Sequence, residues 1–299
     1  MQETNQKIIT KQYLMEKEYK ELKELEEIIK LVDNVNLKLE LDYKLELNNI
    51  SVCGTEGINE FLYYEDGVLV SYLGISCFGG NVAELNGMTH PKWRRKGKFK
   101  KLFEFAKNEC INRNFKKILL LTDGISDSGK EFIKAVGGQY DFTEYGMELL
   151  KQTSLKNKIN INLRKAEESD KLEIARQDLI YFSEKEDVES SSENESIEER
   201  KEDKIKLKNV NIIELNNKIV GKILIEFTND SAFIFGFGIL PEFRGKGFGK
   251  AALKEALKII KERNISNVGL DVAAKNKRAL DLYKSCGFEE KSIMDYYSI

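Results

Sequence analysis

The apolar and polar positions of this chain spell out an order of elements, and that order occurs twice. In the C-terminal half, Lys158–Lys165 alternates as a strand, and Ser169 is placed to cap a helix running to about Phe182. Val210–Leu215 and Ile219–Phe227 read as two strands about Asn216-Asn217, a hairpin-like turn signal. Ala232–Leu240 is an apolar strand ending at Pro241. Gly247–Arg263 has helical spacing through Leu253, Leu257 and Ile260, with Asn264 at its end. A buried strand over Val268–Val272 and a short helix over Lys275–Ser285, stopped by Gly287, come next. Phe288–Ile299 supplies one or two last strands.

The N-terminal half echoes this. It opens with a long helix, Lys11–Leu31, whose Leu14, Tyr19, Leu22, Leu25 and Ile29 fit an apolar stripe. Strands follow at Phe61–Tyr64, Val68–Phe78 and Val82–Thr89, then a helix over Lys98–Arg113, a strand over Lys117–Thr122 and a helix over Ser128–Val136. Pro91 and Pro241, the chain's two prolines, stand 150 positions apart. At that offset Arg94, Lys96, Gly97 and Lys100 fall on Arg244, Lys246, Gly247 and Lys250 without a gap. Further along, Ala106, Arg113, Asn114 and Leu120 fall on Ala256, Arg263, Asn264 and Leu270. A constant register across a loop and two helices marks two copies of one fold, with a period too long for a solenoid. Interleaved strands and helices make the class α/β (α+β). The predicted domains are 1–150 and 158–299, joined by a linker at 151–157.

Composition narrows the function classes. With 48 Lys+Arg against 50 Asp+Glu among 299 residues, the formal charge is −2, which is not the basic footprint of a dedicated nucleic-acid binder. No apolar run approaches the ~20 residues that span a bilayer. Met1–Lys11 lacks the apolar centre of a secretory signal, so a cytoplasmic protein without a membrane partner is expected. The four cysteines, Cys53, Cys77, Cys110 and Cys286, form no C-x-x-C pair and read as reduced thiols. A single histidine, His90, excludes a site built on several His ligands, and its expected role is that of a loop residue beside Pro91. No metal is expected. Ser183–Lys204 is rich in Glu and Ser and poor in large apolar residues. It reads as a solvated loop or helix, or as an acidic lid that attracts a cationic amine.

The strongest local signal is Gly238-Ile-Leu-Pro241-Glu-Phe-Arg244-Gly-Lys-Gly247-Phe-Gly249-Lys250, a strand running through a glycine-rich turn into a helix. Free amides at a helix N-terminus and the helix dipole together make an anion site. Two other phosphate loops fail on inspection. A Walker loop would need residues other than Arg244 and Ala251 at those positions, and the third glycine of a dinucleotide fingerprint would fall on Lys250 or Ala252.

The remaining pattern, R-x-x-G-x-G over Arg244–Gly249, resembles the GNAT superfamily of N-acetyltransferases. So does Asn276-x-x-Ala279-Leu280-x-Leu282-Tyr283-x-x-x-Gly287-Phe288, which looks like that family's N-x-x-A-x-x-x-Y-x-x-x-G-F segment. The resemblance covers roughly Asn160–Ile299 well and the first 150 residues less well. It implies two tandem acetyltransferase-fold domains, each a mixed, mostly antiparallel sheet flanked by helices. It also implies acetyl-CoA as acyl donor and direct attack by an amine in a ternary complex, with no covalent nucleophile.

Carried over residue by residue, the amides near Gly238, Ile239 and Leu240 would bind pantetheine and polarise the thioester. Arg244, Gly245, Lys246, Gly247, Phe248, Gly249 and Lys250 would hold the pyrophosphate. Asn276 would cap its helix and touch the cofactor, and Tyr283 would be the general acid toward sulfur. Glu226 is one candidate base and a water chain another. The expected partner is a small-molecule or peptide amine. A non-catalytic acyl-CoA sensor and a protein N-terminal acetyltransferase are the alternatives. The first copy departs from the pattern where Phe99 replaces the second glycine, Ser126 the asparagine and Ile133 the tyrosine, so it is expected to be degenerate.

Overall fold

A computed structural model of the chain describes residues 5–47, 57–78, 81–151, 154–182, 207–228 and 230–299. The acidic stretch Ser183–Lys204 and Cys53 lie outside the described residues. The chain divides into two compact units, Met1–Glu144 with Ser292–Ile299, and Tyr145–Lys291. The sequence boundary at 150/158 keeps the C-terminal residues with the second half. Here the last eight residues pack with the first unit instead.

The first unit begins with a strand, β1 (Gln6–Lys11), which pairs antiparallel with β2 (Glu60–Glu65). The sequence reading missed this edge strand and started the first helix too early; α1 spans Glu16–Asp33. The apolar content of Gln6–Lys11 is one Ile-Ile pair, too little to announce a strand without its partner. A short α2 (Leu41–Glu46) was also not anticipated. The meander β2, β3 (Val68–Ser76) and β4 (Val82–Thr89) is antiparallel. Helix α3 (Lys98–Asn112) then crosses to β5 (Lys117–Asp123), which lies parallel to β4. Ser126 caps α4 (Asp127–Ala135), and β6 (Gln139–Leu149) follows. The strand β6 had no counterpart in the sequence reading.

The second unit repeats the scheme. It contains β7 (Asn162–Lys165), α5 (Lys171–Phe182), β8 (Val210–Leu215), β9 (Lys218–Phe227) and β10 (Ser231–Ile239). Helix α6 (Phe248–Glu262), β11 (Asn267–Ala273), α7 (Lys277–Ser285) and β12 (Phe288–Ser298) complete the chain. Strands β7 to β10 are antiparallel neighbours, and β10 lies parallel to β11. Ser169 does not cap α5: it sits in a short 3-10 turn capped by a reciprocal Glu167/Asp170 box. Asn216 and Asn217 both take positive φ, as the tight β8–β9 turn requires.

The distal half of β12 pairs antiparallel with β5 from Met294–Asp123 to Ser298–Leu119, inside the first unit. Tyr296, 1% exposed, stacks on Phe142 at 4.3 Å, and its hydroxyl donates to Glu144 at 2.6 Å. The chain's C-terminus is therefore an interior strand of its N-terminal unit.

The second unit's sheet has two faces with different cores. On one, Ile223, Ile225, Ala232 and Ile234 pack against Ala252, Leu253, Ala256 and Leu257 of α6 and Leu280 and Tyr283 of α7. On the other, Ile174 of α5 meets Val210, Ile212 and Leu224. Strand side chains alternate between faces, so each residue's side is fixed by its register.

Candidate functional site

Strands β10 and β11 pair only from Ser231–Asn267 to Ile234–Leu270. Beyond that point both continue, β10 to Ile239 and β11 to Ala273, without pairing. A cleft opens between two parallel strands, at the position where the glycine turn begins.

On its other edge β10 stays paired with β9, but the register shifts: Phe235 faces Leu224, and Gly238 faces Lys222. Three steps on β10 match two on β9, so β10 carries one extra residue, a β-bulge. Gly236 at its centre has φ +54°, which glycine adopts without steric cost. The bulge inverts the alternation of side chains. Before it, Ala232 and Ile234 face α6; after it, Phe237 and Ile239 do. Gly238 is thereby turned to the α5 face, where a Cβ would fall on the ring of Tyr181. The Leu240 N–H donates to the Val220 carbonyl at 2.9 Å and is occupied. Ile239, one residue earlier, has its amide turned away from β9, toward the cleft.

The turn that follows is built for an anion. Pro241–Phe243 forms a 3-10 turn, and Gly245 and Gly247 take φ of +77° and +83°. Gly247 is the left-handed N-cap of α6, whose first main-chain bond is Ala251 N–H to Gly247 C=O. The amides of Phe248, Gly249 and Lys250 are left pointing out of the helix end. Arg244 Nε donates to the Ile239 carbonyl at 2.8 Å, and among the described residues its terminal nitrogens have no carboxylate partner. A Cβ on Gly249 would make ordinary van der Waals contact with Leu282 at 3.5 Å and Ile239 at 3.7 Å. Lys246 donates to the Glu242 carbonyl at 3.0 Å, and Lys250 is exposed.

Asn276 caps α7, its side-chain oxygen accepting from the Ala279 N–H at 3.2 Å. Tyr283, two turns on, is 7% exposed beside Phe237 of the bulged strand, with ring centroids 6.4 Å apart. Its hydroxyl has no hydrogen-bond partner among the described residues, and burial pushes its pKa up to about 12. The bulge, the glycine turn and Tyr283 thus come together. Glu226 does not join them: it faces Phe233, at the paired end of β10, and accepts from Asn209 at 3.4 Å.

Residues 173–288 match the model of the acetyltransferase (GNAT) family. Over 89 residues the chain is 36% identical to the [ribosomal protein bS18]-alanine N-acetyltransferase of Haemophilus influenzae, a match covering 30% of this chain and 60% of that protein's length. Two solved structures share the fold along nearly the whole chain. A GCN5-related N-acetyltransferase from Sphaerobacter thermophilus superposes with a TM-score of 0.75 at 16% identity, covering 98% of this chain and 95% of that one. A tandem GNAT protein from the clavulanic acid biosynthesis pathway gives 0.72 at 11%, covering 99% and 98%.

The first unit keeps the turn and departs from the second unit around it. Gly97 is again a left-handed N-cap, and Arg94 Nε again bonds the strand-end carbonyl, that of Thr89. Yet β3 and β4 stay in unbroken register from Ser71–Thr89 to Ser76–Glu84, with no bulge. The Gly87 amide is taken by the Asn86 side chain at 2.8 Å, and Arg94 is clamped by Asp33. Phe99 turns inward, its ring 4.8 Å from that of Phe132. Met88, in the place of Gly238, is buried in an apolar cluster with Leu22, Leu25, Tyr72 and other residues of that face. Ile133, in the place of Tyr283, is 3% exposed. His90 caps the 3-10 turn Pro91–Trp93 and packs edge-on against Trp93.

Sequence reasoning missed Gly236, Tyr181, Lys222 and Asp178. The signal for Gly236 was present: glycines inside an apolar strand, Phe235-Gly236-Phe237-Gly238, mark a bulge. Lys222 is 2% exposed opposite Gly238, and its ammonium donates to Asp178 of α5 at 2.5 Å. No local pattern announces such a pair. Among the described residues there is no cluster suited to a metal, and no helix is long and apolar enough to cross a membrane.

Proposed function

We propose that the second unit binds acetyl-CoA and transfers its acetyl group to a primary amine by direct attack in a ternary complex. The observation that carries this reading is the bulge in β10, which the sister copy lacks. It lies where β10 parts from β11, within a few residues of the Ile239 amide and the phosphate-binding turn.

In this reading, the first-turn amides of α6, with Gly245, Lys246, Gly247 and Arg244, hold the pyrophosphate, and Asn276 borders the cofactor. The Ile239 amide donates to the thioester carbonyl oxygen, where negative charge develops. The amine nitrogen attacks the carbonyl carbon and the C–S bond breaks. The Tyr283 hydroxyl gives its proton to the departing thiolate, and a water takes the proton released by the amine. A phenol held neutral by burial suits that role. Glu226, opposite Phe233, is poorly placed to serve as the base, so water is the preferred acceptor of that proton.

A protein or peptide α-amine is the second reading of the acceptor, favoured by the name of the Haemophilus influenzae relative. The absence of a bulge in the first unit, with Arg94 clamped by Asp33 and Phe99 in the place of Gly249, supports one donor site per chain. The test is thiol release from acetyl-CoA in the presence of a panel of primary amines and an alanine-initiated peptide. Release that depends on amine supports transfer. Tight binding of acetyl-CoA with no amine-dependent release would favour a sensor.

A further inference from the structure

In the second unit the glycine turn and Tyr283 belong to the α6/α7 face of the sheet, whereas Gly238 opens onto the α5 face. A thioester whose carbonyl sits at the Ile239 amide therefore sends its acyl chain through the cleft, past Gly238, toward α5. The first side chain met there is Tyr181, whose ring covers the place a Cβ on Gly238 would take.

That ring is fixed on several sides. Its hydroxyl donates to Gln177 Oε1 at 3.0 Å. Gln177 is fully buried, and its amide donates in turn to Glu173 at 2.8 Å. Arg244, from the phosphate turn, places its guanidinium carbon 5.9 Å from the ring centroid. Beside it the Lys222–Asp178 pair ties α5 to β9 in the register of Gly238. The wall is thus anchored by a buried amide and an ion pair, not by loose apolar contacts.

We infer that Tyr181 is the back wall of the acyl pocket and restricts the donor to a short acyl chain, admitting acetyl and rejecting a four-carbon chain. This rests on the acetyl-CoA reading above and deepens it. A pocket that must give way for each added methylene discriminates by roughly 10- to 200-fold per step.

The experiment is calorimetric titration of acetyl-CoA, propionyl-CoA and butyryl-CoA into the full chain and into Tyr181→Phe and Tyr181→Ala. The wild-type chain is expected to prefer acetyl-CoA over butyryl-CoA by about tenfold or more. Tyr181→Phe keeps the ring and keeps the preference. Tyr181→Ala loses most of the preference, its affinity for butyryl-CoA rising relative to that for acetyl-CoA. If Tyr181→Ala lacks a cooperative thermal transition, Tyr181→Leu, which shortens the wall but stays apolar, is read in its place. Equal affinity of the wild-type chain for the three donors, or a preference that survives removal of the ring, overturns the inference while leaving donor binding intact. No binding of any donor overturns the acetyl-CoA reading itself, and the wall with it.

Discussion

Arg94 and Asp33 form a two-pronged ion pair in the first unit, with Nη1 to Oδ1 at 3.0 Å and Nη2 on the other oxygen. Arg244, at the same point of the repeated turn, keeps the bond to the strand-end carbonyl and has no such carboxylate among the described residues. One arginine is consumed by the fold; the other is left to meet an anion. Arg244→Gln should therefore weaken acetyl-CoA binding by roughly 10- to 100-fold, as loss of a charge-assisted hydrogen bond does. Arg94→Gln should leave that affinity unchanged and lower unfolding stability by on the order of 1 kcal/mol. Calorimetry and urea denaturation of the two variants check the contrast.

Tyr283→Phe should reduce amine-dependent turnover by about 100-fold, the lower end for a general acid, with acetyl-CoA affinity little changed. The buried phenol also sets a pH signature. Its pKa is raised from 10.0 to about 12, so the folded state holds the proton that the unfolded chain has already released. The resulting stability is present below pH 10 and is lost as pH rises toward 12. Wild type and Tyr283→Phe should diverge in stability across that window, read by thermal melts from pH 9 to 12.

Asp178→Ala should destabilise the second unit by about 3–5 kcal/mol, because it strands the ammonium of Lys222 in a buried position. Lys222→Met should cost less, since the remaining Asp178, 27% exposed, still reaches water. Burial pushes the Lys222 pKa down, so the folded state sheds its proton before the unfolded chain does. The loss in Asp178→Ala should accordingly shrink as pH rises. Denaturant titrations at neutral and alkaline pH measure it.

Most of the core was legible because it is periodic. The strands around Asn216-Asn217 and the helix after Gly247 follow from spacing alone, with ends shifted by a residue or so. What escaped depends on partners far along the chain. The strand Gln6–Lys11 is defined by its pairing with Glu60–Glu65, and the end of β12 by its pairing with β5. In the site, the glycine turn and Tyr283 could be read from sequence because a turn and a helix face are local. Tyr181 and Lys222 could not, since each acquires its place only when a bulge inverts the faces of a neighbouring strand.

The non-local strand makes its own prediction. Tyr296→Ala, at the very end of the chain, should destabilise the N-terminal unit by about 3–5 kcal/mol, the range for removing a large aromatic from a core. Hydrogen exchange should report the loss at β5, beside residues 119–123. Loss of protection confined to α6 and α7 would contradict it.

The most direct test of one donor site in the second unit is the stoichiometry of acetyl-CoA binding to the full chain and to Gly249→Trp. Gly249 has no positive φ, and a Cβ there makes only ordinary contacts, so the indole is read as altering the anion cradle where the thermal transition is retained. Binding near one equivalent per chain, abolished in the variant with its thermal transition retained, is the predicted result. Two equivalents, or binding indifferent to the indole, would contradict the account.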